Sequence, residues 1–144
     1  MQDRKAAAGD TVIVDIACSL DGWCGDHCTT FALEPSDQTQ SLIGDCGRVY
    51  ERLLDRIQPG MAASELFTFG AQMLREMDLK LLDLWDNFGH SIGREFAAEG
   101  FIDATNDIPM WGAWTLEPHV GRHARGAKFE EIVWLGTDGS VSVV

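Results

Sequence analysis

Apolar, β-branched residues crowd the start of the chain, and apolar positions recur at three- and four-residue steps through its middle. "TVIVDIACSL" is rich in β-branched residues and runs into "DGWCGDHCTTFAL". Asp21-Gly22 supplies turn chemistry between the two stretches, which predicts a β-hairpin. After "EPSDQ", Leu42, Ile43, Cys46, Val49, Tyr50, Leu53, Leu54 and Ile57 mark one face of a long helix, and "QPG" at 58–60 ends it. A second helix is predicted to start near Ser64, whose hydroxyl can cap it, with Leu66, Phe67, Ala71, Leu74 and Met77 along one side. It stops before "DLKLLDLW". From 85 to 113 the pattern weakens, and glycines at 89, 93, 100 and 112 with a proline at 109 read as loop-rich connecting chain. Strand character returns in "WGAWTLEPHV", "KFEEIVWL" and "TDGSVSVV". A hairpin, two helices and further antiparallel strands make an α+β fold rather than a doubly wound sheet.

The 144 residues suit a single domain, 1–144, with one core. No apolar stretch approaches the roughly 20 residues that span a bilayer, and the opening "MQDRKAAAGD" is too polar for a secretory signal. The expected location is cytoplasmic. There the four cysteines, Cys18, Cys24, Cys28 and Cys46, are read as reduced packing residues. Cys24 and Cys28 have no second close pair at zinc-finger spacing, which leaves structural zinc the lesser alternative. Twenty-three acidic against 11 basic residues give a formal charge of −12, which repels phosphate backbones and anionic headgroups. Neither nucleic acid nor a membrane is an expected partner. Charge alone does not argue for metal, but it makes buried carboxylates conspicuous.

Asp15 and Asp26 lie on the two arms of the hairpin. A two-residue loop at Asp21-Gly22 sets Asp26 opposite residue 17 and diagonal to Asp15; a longer loop centred earlier opposes the two aspartates directly. In both registers they share a face with Ile13, Ala17, Cys24, Thr30 and Ala32, which resembles an interior more than a wet surface. Two carboxylates that close raise each other's pKa or need a cation between them. Glu117 in "WTLEPHV", and Glu130 with Glu131 in "KFEEIVWL", also interrupt runs that otherwise want burial; of the adjacent pair, one must point outward. With His90 in "FGHSIG", these groups would form an oxygen-rich site with one imidazole. Two divalent cations would balance four carboxylates, and such ligands suit Mn, Fe, Co or Zn. A metal pair about 3.5–4 Å apart activates water and polarises a carbonyl, so the implied reaction is hydrolysis.

These residues, in order from "GDTVIVDIACSLDGWCGD" through "IQPG", "FGHSIG", "TLEPHV" and "KFEEIVWL" to "TDG", resemble the pita-bread metallohydrolases of peptidase family M24. That family includes methionine aminopeptidase, aminopeptidase P, prolidase and creatinase. The resemblance implies a pita-bread fold truncated at its N-terminal side, an antiparallel sheet covered by helices. It implies metal ligands at Asp15, Asp26, His90, Glu117 and Glu130, with Glu131 the fallback for the last. Asp26 and Glu130 would bridge two divalent ions (Mn, Co, Fe or Zn), Asp15 completing one site and His90 with Glu117 the other. Glu117 would also pass the proton of the attacking water. The implied activity is that of a dinuclear hydrolase, an aminopeptidase resembling aminopeptidase P (Xaa-Pro) or methionine aminopeptidase, acting on a peptide or small amide. A creatinase-like hydrolase of a non-peptide C–N bond and a non-catalytic binding module are the alternatives.

Two departures qualify the resemblance. Family aminopeptidases usually carry a second histidine seven residues after the ligand histidine; here that position is Ala97, or Ala98 if one residue is inserted, with Glu99 in place of the glutamate that follows. The aminopeptidase P branch often has a further histidine four residues before the ligand, where this chain has Asp86. His119 and Glu99 are the substrate-binding candidates, His119 as a replacement imidazole if the strand runs through Pro118. His27 is read as structural and His123 as a loop residue. The segment before Asp15 is short for the family, so a homodimer or a missing N-terminal segment is expected to cover the sheet, and a lone monomer to expose an apolar patch.

Overall fold

The computed structural model describes residues 5–144; the first four residues of the polar opening stretch lie outside the described residues. The hairpin forms as the β-branched run and its turn residues predict, from β1 (Thr11–Leu20) and β2 (Trp23–Ala32). Asp21 and Gly22 both have positive φ, 51° and 81°, the turn whose twist suits a two-residue hairpin loop. The register follows: Ala17 faces Asp26, and Asp15 faces Cys28.

Helix α1 (Asp37–Arg56) starts at Ser36, whose hydroxyl accepts from the Thr39 amide at 3.2 Å. Its apolar stripe is the predicted one, with Leu42, Cys46, Val49, Tyr50, Leu53 and Ile57 buried. Helix α2 (Ala63–Glu76) corrects the expected cap. Its N-cap is Ala62 without a side-chain bond, and Ser64 instead donates its hydroxyl to Asp107 at 2.6 Å. The first-turn amides of Ala63 and Ser64 donate to the carbonyls of Ile108 and Asn106, so a distant loop satisfies the helix end that a local hydroxyl was expected to satisfy.

After the two-residue β3 (Lys80–Leu81), the region read as connecting loop contains two strands, β4 (His90–Ile92) and β5 (Phe96–Phe101). β4 is three residues long and its pairing with β5 is irregular between His90 and Ile92, too short and broken for a period-two pattern. The remaining strands are β6 (Gly112–Leu116), β7 (His119–Arg122), β8 (Arg125–Lys128), β9 (Glu131–Leu135) and β10 (Val141–Val143). Each of the two long predicted strands is thus divided. "WGAWTLEPHV" breaks at Glu117-Pro118, where proline can offer no amide to a ladder, and "KFEEIVWL" breaks between Lys128 and Glu131.

The strands form a five-stranded sheet, β10-β9-β6-β4-β5, a three-stranded sheet, β3-β7-β8, and the hairpin, all antiparallel. One core joins the helices to the sheets: Leu42, Val49, Leu53 and Leu66 pack with Trp114, Leu116, Val120, Ala127, Val133 and Leu135. These strand residues all lie on the face toward the helices. The opposite face belongs to their alternating neighbours, and the polar site is there.

The hairpin differs. β1 pairs with β2 alone, and nearly all of it is exposed, Ile16 to 56% and Leu20 to 76%. The apolar patch expected of a lone chain is present.

Candidate metal centre

Three strands place the acidic side chains in rows. Cys28 is paired with Asp15 on β1 and, through an isolated antiparallel bridge, with Glu130 just before β9. The Glu130 amide donates to the Cys28 carbonyl at 2.9 Å and the Cys28 amide to the Glu130 carbonyl at 3.4 Å. Asp26, two residues before Cys28 on the same strand, therefore projects from the same face. Lys128, two residues before Glu130, also joins that face; its amide and carbonyl both bond the Thr30 hydroxyl, at 2.8 and 2.7 Å.

His90 arrives from the other side. Gly89, with φ 148°, lies so close to β6 that a Cβ there would sit 2.0 Å from the Thr115 carbonyl oxygen. Only glycine lets the chain pass, and the next residue is thereby held against β6, its amide donating to the Thr115 hydroxyl at 3.0 Å. The imidazole is buried. Nδ1 lies 2.9 Å from the Ser91 carbonyl, an acceptor only, so Nδ1 carries the hydrogen and Nε2 is left facing Asp26 Oδ2 at 3.7 Å and Glu117 Oε1 at 3.6 Å. Glu117 follows β6 and is fixed by its amide, which donates to the Phe88 carbonyl at 2.8 Å.

Lys128 stands among the carboxylates, with Nζ 2.7 Å from Asp15 Oδ2, 2.9 Å from Glu117 Oε2 and 3.3 Å from Glu130 Oε2. Burial works against its charge, but hydrogen bonds to Asp15 and Glu117 and the charges of Glu117 and Glu130 outweigh that, and its pKa is raised. Glu130, Glu117 and Asp26 move the same way. Burial first, then the charge of Glu117, pushes Glu130 up to about 8, against the opposing pull of Lys128. Burial also raises Glu117, and burial with the charge of Asp15 raises Asp26.

One ammonium against four carboxyl groups leaves the cluster short of positive charge. Among the described residues, Asp26 Oδ1 and Glu130 Oε1 are buried with no hydrogen-bond partner, and Glu130 Oε2 has only the ion-pair contact with Lys128. Orphaned buried oxygens of this kind cost stability unless a cation reaches them. A metal about 2.1 Å from each donor holds neighbouring donors roughly 3–4 Å apart, which brackets the His90 separations. Two sets of ligand atoms lie within 4.8 Å of one another: Asp26, His90 and Glu130, and Asp15, Cys28 and Glu130. The donor set fits divalent metal.

The structure thus brings Asp15, Asp26, His90, Glu117 and Glu130 to one site. Glu131 shares a face with Val133 and Leu135, away from it, and comes within 4.0 Å of His27. His119 opposite Lys128 is on the site's side of the sheet, half-buried, its pKa lowered by burial and the Lys128 charge. Glu99 is exposed and lines a separate groove with Trp23, Arg94 and Trp134. Ala97 lines the cleft of about 370 Å³ over the site, together with Asp83, Trp85, His90, Phe101 and Glu117. His123 lies in the β7–β8 turn with φ 56°. Lys128 and Cys28 also join the site, and strand alternation is the signal in the sequence that flags them, each two residues from an acidic ligand candidate.

An α+β fold with helices on one face of its sheets and, on the other, buried acids around an imidazole offers a donor set that fits divalent metal. The chain belongs to metallopeptidase family M24, whose model matches residues 1–137. Its pita-bread fold is shared with solved structures. Prolidase from Pyrococcus furiosus is 19% identical, with a TM-score of 0.86 over 99% of this chain and 43% of that one. Dipeptidase PepE from Mycobacterium ulcerans is 26% identical, with a TM-score of 0.85 over 99% of this chain and 39% of that one. Methionine aminopeptidase from Thermotoga maritima is 19% identical, with a TM-score of 0.79 over 94% and 64%. The chain therefore spans well under half the length of the first two and about two thirds or less of the third. No curated protein matches it in sequence.

Proposed function

We propose that this chain carries the metal-binding part of a dinuclear hydrolase, an aminopeptidase or Xaa-Pro peptidase acting on the N-terminal end of a peptide. The observation that carries the reading is Glu130, fully buried with an oxygen that no donor among the described residues reaches, and grouped with Asp15 on one side and with Asp26 and His90 on the other. Asp15, Asp26, His90, Glu117 and Glu130 would hold two divalent ions, Mn, Co, Fe or Zn. Bound there, such ions supply an activated water and Lewis-acid polarisation of the scissile carbonyl.

The chain's own groups do the rest. The Ser91 carbonyl keeps His90 in the tautomer that presents Nε2 to the cluster. Glu117, its carboxyl raised by burial, is suited to take a proton from water and return it to the leaving amine. Phe96 and Phe101 flank the His90 ring at 5.7 and 6.1 Å and give the cleft an apolar wall beside it. Neither Glu99 nor His119 lines the cleft itself; His119, opposite Lys128 on the site's side of the sheet, is the nearer candidate for a polar contact with substrate.

The test is metal analysis of the intact native protein together with release of N-terminal residues from Xaa-Pro and Met-Ala peptides under Mn, Co, Fe or Zn. About two metals per chain, lost in Asp26→Ala and Glu130→Ala, with metal-dependent turnover is the expected result. Absence of metal sinks the reading. Metal without turnover on any substrate of the panel favours the second reading, a metal-holding binding module, which Ala97 at the usual place of a second histidine supports.

A further inference from the structure

Cys28 occupies the centre of the row that crosses three strands. Asp15 is its partner on one side and Glu130 on the other. Directly opposed residues in a sheet project from the same face, with Cβ atoms about 5 Å apart, so the thiol is held between two carboxyl groups. Its Sγ and one oxygen of each acid all lie within 4.8 Å of one another. The residue is fully buried. A second observation points to the same place: Glu130 projects into it with one oxygen unpartnered and the other touching only Lys128.

Packing alone explains another cysteine better than this one. Cys46, on α1, directs its thiol at the carbonyls of Pro118 and Ala127, 3.3 and 3.5 Å away, and so has a structural use. The Cys28 sulfur has no hydrogen-bond partner among the described residues. A small apolar residue would fill its position as well, without facing two acids.

We propose that Cys28 is a metal ligand: with Asp15 and Glu130 it forms a mixed sulfur and oxygen position, which selects a thiophilic divalent ion such as zinc, cobalt or iron over manganese. The inference rests on the metal-dependent reading of the site. On binding, the sulfur lone pair forms the bond to the metal, the S–H bond breaks and its proton leaves to solvent, so the thiol contributes one proton to those released when the ion binds. Soft thiolate ligands favour these metals, whereas carboxylates alone suit manganese equally well. The second position, around Asp26 and His90, keeps only oxygen and nitrogen donors, and the two ions would differ in how tightly they are held.

Cobalt substitution of the full chain under anaerobic conditions tests this. A protein with Cys18→Ser, Cys24→Ser and Cys46→Ser combined should show a sulfur-to-cobalt charge-transfer band in the near ultraviolet, and the further change Cys28→Ser should abolish it while the visible cobalt bands persist. Zinc affinity should fall at least ~10-fold in Cys28→Ser with manganese affinity little changed. X-ray absorption of the zinc-loaded wild type needs no variant, and should show sulfur at about 2.3 Å. Bound cobalt and zinc with neither the band nor the sulfur shell overturn the assignment and leave the metal site standing. Failure to bind either ion overturns the metal reading itself.

Discussion

The hairpin and the body of the molecule are built from similar residues and held in opposite ways. β6 and β9 bury Trp114, Leu116, Val133 and Leu135 under two helices, whereas β1 leaves Val12, Val14, Ile16 and Leu20 exposed and shares its hydrogen-bond ladder with β2. The candidate site lies on the seam. Asp15 and Asp26 come from the hairpin, and His90, Glu117 and Glu130 from the body. What joins them is the Cys28–Glu130 bridge, the Thr30 hydroxyl on Lys128, the Cys24 amide on the Gly93 carbonyl, and the Lys128 ammonium on Asp15. Hydrophobic burial fixes one half of the site and polar contacts fix the other, so the hairpin's position should depend on charge in a way the body's does not.

Trp114→Ala should separate the two regions most strongly, with a loss of about 3–5 kcal/mol in urea unfolding, because it empties the centre of the core. Lys128→Met should come next. It leaves buried carboxyl groups without their cation, and roughly 3 kcal/mol of stability should be lost from the metal-free protein, much of it restored by metal. Metal at a hundredfold excess over its dissociation constant should add about 2.7 kcal/mol. Hydrogen exchange then distinguishes the regions, since amides at 26–30 should gain more protection than those of β6.

Acidity gives a smaller, graded effect in chelated protein. The Glu130 carboxyl is raised from its ordinary 4.5 to about 8 in the folded state, so between those values the folded chain binds more protons than the unfolded one. Stability should fall as pH rises through that window and level off above it. Unfolding midpoints at about pH 5 and pH 8, with and without metal, check the sign; a rise with pH in the chelated protein contradicts it. The smallest effect belongs to Ile16→Ala, which should change stability by no more than about 0.5 kcal/mol in the isolated chain. A larger loss would mean that a partner covers the hairpin in solution.

The sequence is most readable where one residue type repeats at one period. Alternation along 11–32 establishes the face shared by Asp15 and Asp26, and the turn residues Asp21-Gly22 select between the two registers once their left-handed backbone is seen. The α1 stripe is equally plain. Strands β4 and β5 are hidden because their conformation depends on exceptions, a glycine pressed against Thr115 and a register shift after His90, and neither has a period. The α2 start misleads because its amides are satisfied by residues 106 and 108, more than 40 positions away. Lys128 and Cys28 sit in plain alternation, but a lysine reads as surface and a cysteine as packing until the neighbouring strand brings acids to them.

Ala97 has a consequence for altering this molecule. It lines the cleft with φ 53°, a backbone region that alanine enters reluctantly and that asparagine, aspartate and histidine enter several-fold more often. The strand there is already bent into the shape those larger side chains prefer. Ala97→His would therefore add an imidazole to the cleft wall without requiring the chain to be rebuilt, which makes this position the natural first target for redesigning what the cleft accepts.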